Sequence, residues 1–237
     1  MLEKKVRKGC KDIWGAYLTE GAYFSDNDIP YCPTTATEIP RKIITYTKAK
    51  KIFSQNTKHG SQNFFHNAYV CFYIDDYKFD SSRGIWNCPE KAYSVLSHFA
   101  GIITPDFSTN QDFPDPLKRF NTYRMRTFGY WCGKRGQKVI NNARWGTEET
   151  FSYCFDGIPI NSIVAIGTVA SSLRSYSGMK IFNTGIKEMI SRLHPHTILI
   201  YGSANYPIFK ELQNKGIHIV TYPSETNLYF KRRCSHV

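Results

Sequence analysis

The feature that most constrains the fold is a recurring unit, a short apolar run without polar alternation followed by an amphipathic stretch. It is clearest in SIVAIG (162–167), TILIYG (197–202) and IHIVTY (217–222). A strand with one face in water alternates polar and apolar residues, so unbroken runs imply strands covered on both faces, the condition of a parallel sheet. Between the first two runs, Phe182, Ile186, Met189, Ile190 and Leu193 recur on one face of a helix over 178–193. Asn205 reads as the N-cap of a second helix over 206–215, with Ile208, Phe209 and Leu212 inward and Gly216 as its stop.

The same unit extends backward. Strands are expected at 42–47 (KIITYT), 68–74 (AYVCFYI), 101–104 (GIIT) and 138–140, with short helices at 89–99 and near 148–155. A longer helix starts at the N-cap and N1 pair Asp115-Pro116 and runs to about Arg135, where Gly136 ends it. This succession predicts an α/β fold with a mostly parallel sheet of repeated βα units. It is arranged as a TIM-like barrel, complete or incomplete, or as a doubly wound open sheet. The even spacing favours the barrel, as does the lack of a GxGxxG or Walker loop to mark a switch point. Residues 1–40, rich in Tyr, Asp and Pro, read as an irregular extension lying over one end of the sheet, and 41–237 as a single domain.

Charge narrows the partner. With 31 Lys+Arg against 19 Asp+Glu the chain carries a formal +12, together with 15% aromatic residues, a balance suited to a polyanion. The excess is uneven, because residues 61–120 are net acidic and the rest is basic. On the long helix, Leu117, Phe120, Arg124, Phe128 and Trp131 fall on one side. Arg119, Arg126, Lys134 and Arg135, with Lys118, form either a solvated basic face or a ridge that meets nucleic acid. No signal-peptide pattern and no run of about 20 apolar residues is present, so a cytoplasmic protein without a membrane partner is expected. The seven cysteines show no CxxC spacing and read as reduced thiols, with Cys154 a buried one. No HExxH pattern or zinc ribbon points to a metal held by histidine or cysteine.

In a parallel sheet the functional face lies at the C-terminal strand ends. The residues placed there are Asp75, Asp76, Asp106, Asn142, Arg144, Trp145, Thr168, Tyr201 and Ser203. Strand-end carboxylates serve as nucleophile, general acid or base, or ligands of a cofactor such as Mg²⁺, which makes Asp75, Asp76 and Asp106 the catalytic candidates. Asp75 and Asp76 are adjacent, so on extended backbone only one faces inward, and turn capping is the structural alternative for each. Arg144 and Trp145 would hold a phosphate and stack a base, or else form an ion pair with Asp106 or Asp75 and a core lid.

Seven strings carry a family resemblance: YIDDYKFD (73–80), TPDFS (104–108), NTYRMRTFGYW (121–131), KVINNARWG (138–146), CFDGIP (154–159), SIVAIGT (162–168) and ILIYGS (198–203). In this order and spacing the chain, over roughly 38–222, resembles a family of bacteria, phages and mobile elements, the domain of unknown function four-four-one-seven. The resemblance implies a bacterial or phage setting and brings no catalytic residues. In outline the strand-end aspartates are also similar to those of guanine-transglycosylase barrels, which implies an aspartate pair acting on a glycosidic bond; the cysteine-rich zinc site of the tRNA members is missing. The expected function is action on nucleic acid or nucleotides. The alternatives are a non-catalytic DNA- or RNA-binding protein and a protein-interaction module.

Overall fold

A computed structural model describes residues 4–61, 63–169, 173 and 175–234, with side chains described to residue 229. Seven strands, β1 (Ile43–Thr45), β2 (His66–Cys71), β3 (Phe99–Ile103), β4 (Lys138–Asn142), β5 (Ile163–Gly167), β6 (Thr197–Tyr201) and β7 (His218–Tyr222), form one sheet in sequential order. Every neighbouring pair is parallel. Helices alternate with them: α1 (Tyr46–Lys58), α2 (Pro89–Leu96), α3 (Asp115–Lys134), α4 (Tyr176–Leu193), α5 (Pro207–Asn214) and α6 (Glu225–Cys234). The order never reverses, so the sheet has no topological switch point and the doubly wound alternative is set aside.

The sheet is curled into a half-barrel, and strand parity explains its two faces. Ile43, Cys71, Ile103, Ile140, Ala165, Leu199 and Tyr222, at alternate positions of all seven strands, pack together on the concave side. Their neighbours in sequence face the helices. Ile44, Val70, Ile102 and Val139 meet α1, α2 and α3, while Val164, Ile166, Ile198 and Ile200 meet α4 and α5. Burial on both faces is the reason the strand sequences lack polar alternation. The two edge regions are joined by side chains, Tyr222 to the Pro40 carbonyl and Thr45 Oγ1 to Glu225 at 2.7 Å.

Between β4 and β5 only a 3-10 turn, Glu148–Ser152, stands where a helix was expected. The N-terminal segment lies against it. Cys32 N donates to Gly157 O at 2.8 Å, and Asn27 Nδ2 donates to Ser152 O and to the Asp156 carboxylate. Thr35 and Ala36 then donate to Val139 O at the start of β4.

The buried surface of α3 is wider than the expected stripe, of which Arg124, Phe128 and Trp131 are buried as expected. Leu117 is 39% exposed, whereas Lys118, Thr122, Met125 and Cys132 are buried and Gly129 faces Thr104. The small and polar residues on this line hide it from a hydrophobicity count. They let the helix approach closely, since a Cβ on Gly129 would stand 2.4 Å from Thr104 Cγ2.

Candidate binding cavity at the strand ends

A cavity of about 530 Å³ opens at the C-terminal ends of β3, β4 and β5 and is walled on its far side by the first turns of α4. Its lining includes Asp106 and Thr109 after β3, Asn142, Arg144 and Trp145 at and after β4, Gly167 of β5, and Ser177 and Phe182 of α4. Four of the expected rim residues therefore come together.

Asp106 is the centre of this wall. Its side chain is 12% exposed, and both oxygens accept hydrogen bonds, Oδ1 from Asn142 Nδ2 at 2.7 Å and Oδ2 from Arg144 Nη1 at 2.8 Å. Asn142 is itself oriented by Tyr73, whose hydroxyl donates to Asn142 Oδ1 at 3.0 Å. Tyr73 in turn stacks on Tyr201 with ring centroids 5.4 Å apart. Burial raises the Asp106 carboxyl above the usual aspartate range, against the opposing pull of the Arg144 charge and the Asn142 hydrogen bond. Burial also pushes the Tyr73 phenol up, so it stays a neutral donor.

Trp145 packs on Phe155 and Phe182, with centroids 6.0 and 5.6 Å away. Gly185 of α4 makes room for its indole, since a Cβ there would fall 2.0 Å from Trp145 Nε1. The Arg144 and Trp145 pair is thus held in the way the structural alternatives describe, while both side chains still line the cavity.

The other candidates stand elsewhere. Asp75 is the residue before a 3-10 turn over Asp76–Lys78 and pairs with Lys78 at 2.6 Å on the surface, which holds its carboxyl below the usual range. Asp76 accepts from Ser108 N and Oγ, both at 3.0 Å, and so ties the loop after β2 to the loop after β3. Neither lines the cavity, although Asp76 stands near enough for its charge to raise the Asp106 carboxyl further. Thr168 and Ser203 form a two-way latch, Thr168 Oγ1 donating to Ser203 O and accepting from Ser203 N. The Tyr201 hydroxyl accepts from Glu225 N. These three brace the rim beside the cavity.

The basic ridge on α3 is not assembled either. Arg126 is fully buried, and its guanidinium donates to Asp156 O, Asn142 O and Cys154 O at 3.0 to 3.1 Å. It cannot reach a polyanion, because these three carbonyls hold it inside. Lys134 pairs with Glu20 and Arg135 with Glu90. Arg119 lies over the Tyr153 ring and donates to Asn27.

Two residues of this site were not foreseen from sequence, Tyr73, which orients Asn142 from outside the cavity lining, and Thr109, which lines it. Tyr73 carries a usable signal, the i, i+2, i+4 series Tyr69, Cys71, Tyr73 that places it on the concave face. Thr109 carries none: it lies in a loop, is 2% exposed, lines the cavity, and its Oγ1 has no partner among the described residues. Among the described residues no group of three or more His, Cys, Asp or Glu side chains is placed to hold a metal ion. Nor is any helix long and apolar enough to cross a membrane.

The profile of the domain of unknown function (DUF4417) matches residues 27–223, and the chain belongs to that family. Similar proteins include the Gene 1 protein of Mycobacterium phage L5, 35% identical over 136 residues, covering 57% of this chain and 57% of that protein. The Gene 1 protein of Mycobacterium phage D29 is 31% identical over 175 residues, covering 73% of this chain and 63% of that protein. The chain thus matches less than two thirds of the length of these relatives. No solved structure matches.

Proposed function

We propose that the strand-end cavity binds a nucleotide, free or as part of a nucleic acid, in a phage-associated protein, and that Asp106 is its acid/base group. The observation that carries this reading is a mostly buried carboxylate with a raised pKa, oriented by Arg144 and Asn142, on the wall of a cavity of about 530 Å³. That volume falls within the range of small-molecule and cofactor sites, roughly 300–1,000 Å³. Arg144 uses Nη1 for Asp106 and keeps its other nitrogens for a ligand oxyanion. The first turn of the 18-residue α4 and the buried Thr109 hydroxyl add donors on the same wall. Trp145 supplies an aromatic surface for a base. We read the curled sheet as an incomplete (β/α) barrel and residues 1–40 as an extension packed on a single α/β domain.

Calorimetric titration with nucleoside mono-, di- and triphosphates tests the binding step. Arg144→Ala is expected to weaken binding at least tenfold, about 1.4 kcal/mol. Asp106→Asn is expected to preserve binding and the fold while removing turnover of a bound substrate. Nucleotide affinity unchanged in Arg144→Ala would sink the reading.

A further inference from the structure

The positive charge of this protein has to be somewhere, and the ion pairs of α3 show that it is not there. From Ile39 to Ile74 the chain contains Arg41, Lys42, Lys48, Lys50, Lys51 and Lys58 and no Asp or Glu, a local +6 and half of the formal total. This segment is one structural unit, the lead into β1, then α1 and β2 at the edge of the sheet. None of the six cations makes a salt bridge among the described residues, and Arg41, Lys42, Lys50, Lys51 and Lys58 are exposed.

Geometry gathers them on one edge. The buried side of α1 is set by Tyr46 and Ala49, with Ile52 and Phe53 partly buried against the core, so Lys51 and Lys58 on the opposite side face water, while Lys50 lies over the Tyr46 ring and donates to Lys78 O. Lys51 and Lys58 are two turns apart, about 10 Å along the axis. Because α1 runs antiparallel to β1, its C-terminal end returns toward Arg41 and Lys42. Burial, and then the nearby charges of Lys42 and Lys48, lower the pKa of His66 at the start of β2, which marks the same concentration of charge. Phe64 packs on Phe53 of α1, and the next residue, Phe65, is 68% exposed. Exposed cations without a salt bridge among the described residues, beside a solvent-facing aromatic ring, are the arrangement that tracks a phosphate backbone and stacks an unpaired base.

We propose that the β1–α1 edge is a docking surface for single-stranded nucleic acid, with Lys42, Lys51 and Lys58 on the phosphates and Phe65 against a base. The assignment rests on the reading that the partner is a nucleic acid, and makes that partner a polymer that extends beyond the cavity. Fluorescence anisotropy with mixed-sequence single-stranded DNA, from about 50 to about 200 mM salt, tests it in the full chain. The triple variant Lys42→Gln/Lys51→Gln/Lys58→Gln is expected to keep its thermal unfolding midpoint, lose at least tenfold in affinity and flatten the log–log salt slope by about two. Phe65→Ala is expected to lose affinity with the slope unchanged, and Lys210→Gln/Lys215→Gln, on α5 and at its C-cap, is expected to bind as the unmodified protein does. A triple variant with unchanged affinity and slope overturns the proposal, as do tighter binding of duplex than of single strand, and preference for an acidic peptide over DNA. Nucleotide titration of the triple variant separates this proposal from the cavity reading, because the cavity residues are intact in it.

Discussion

A buried guanidinium is costly unless its donors are met, and Arg126 meets this by joining three backbone carbonyls from β4 and the loop over 154–156. Burial lowers its pKa to about 10, so it remains charged at neutral pH. Arg126→Met removes the donors that these three buried carbonyls accept from, and urea unfolding should show a loss of about 3 kcal/mol or more. At Asp106 the sign runs the other way from a surface ion pair. Its pKa is raised in the folded state, so above the unfolded value the folded protein holds more protons than the unfolded chain. The contribution of Asp106 to stability therefore falls as pH rises through its folded pKa and is level above it. Asp106→Asn should remove that slope from a series of urea unfolding curves across acid pH. Cysteines give a third check. Burial pushes the Cys32 and Cys154 thiols up to about 12, and Cys71 and Cys132 are also raised by burial. In native protein, maleimide labelling read by peptide mapping should mark Cys10 and spare these four.

At the scale of elements, the strands were legible and the faces of α3 were not. All seven strands overlap the expected segments, because burial on both sides leaves that pattern in the sequence itself, but Tyr46 and Thr47, expected at the end of β1, open α1 instead. The helix α1 and the terminal α6 carry weaker signals: α1 buries only Tyr46 and Ala49, too few to show a stripe. On α3 the sheet is met through Met125 and Phe128 and also through Thr122, Gly129 and Cys132, which a hydrophobicity count misses, and so Arg126 was assigned to the wrong side. Close approach also fixes α4 on the loop after β4. Gly185→Ala would drive a methyl group into the Trp145 indole, which cannot yield without leaving Phe155 and Phe182. A loss of about 1–3 kcal/mol in unfolding free energy is expected. A shift in tryptophan emission should accompany it as the cavity wall moves.

For the whole molecule, the N-terminal segment is the decisive element that a strand-and-helix reading undervalues. It packs on α3 and against the connection between β4 and β5, burying Leu18, Ile29 and Cys32. Removing residues 1–36 should abolish cooperative thermal unfolding rather than trim a tail, which circular dichroism would show directly. By itself the sequence determined the repeated βα units, the parallel sheet and the rim that its strand ends would form, because these follow from local periodicity and chain direction. Only the tertiary structure decided which rim residues share a cavity, which carboxylates serve as latches, and where positive charge is left without a partner. Those depend on contacts between residues far apart in the chain: Asp106 with Arg144, Asp76 with Ser108, Lys134 with Glu20. Each is a pairing energy set by distance in space, which the order of residues alone does not encode in any local pattern.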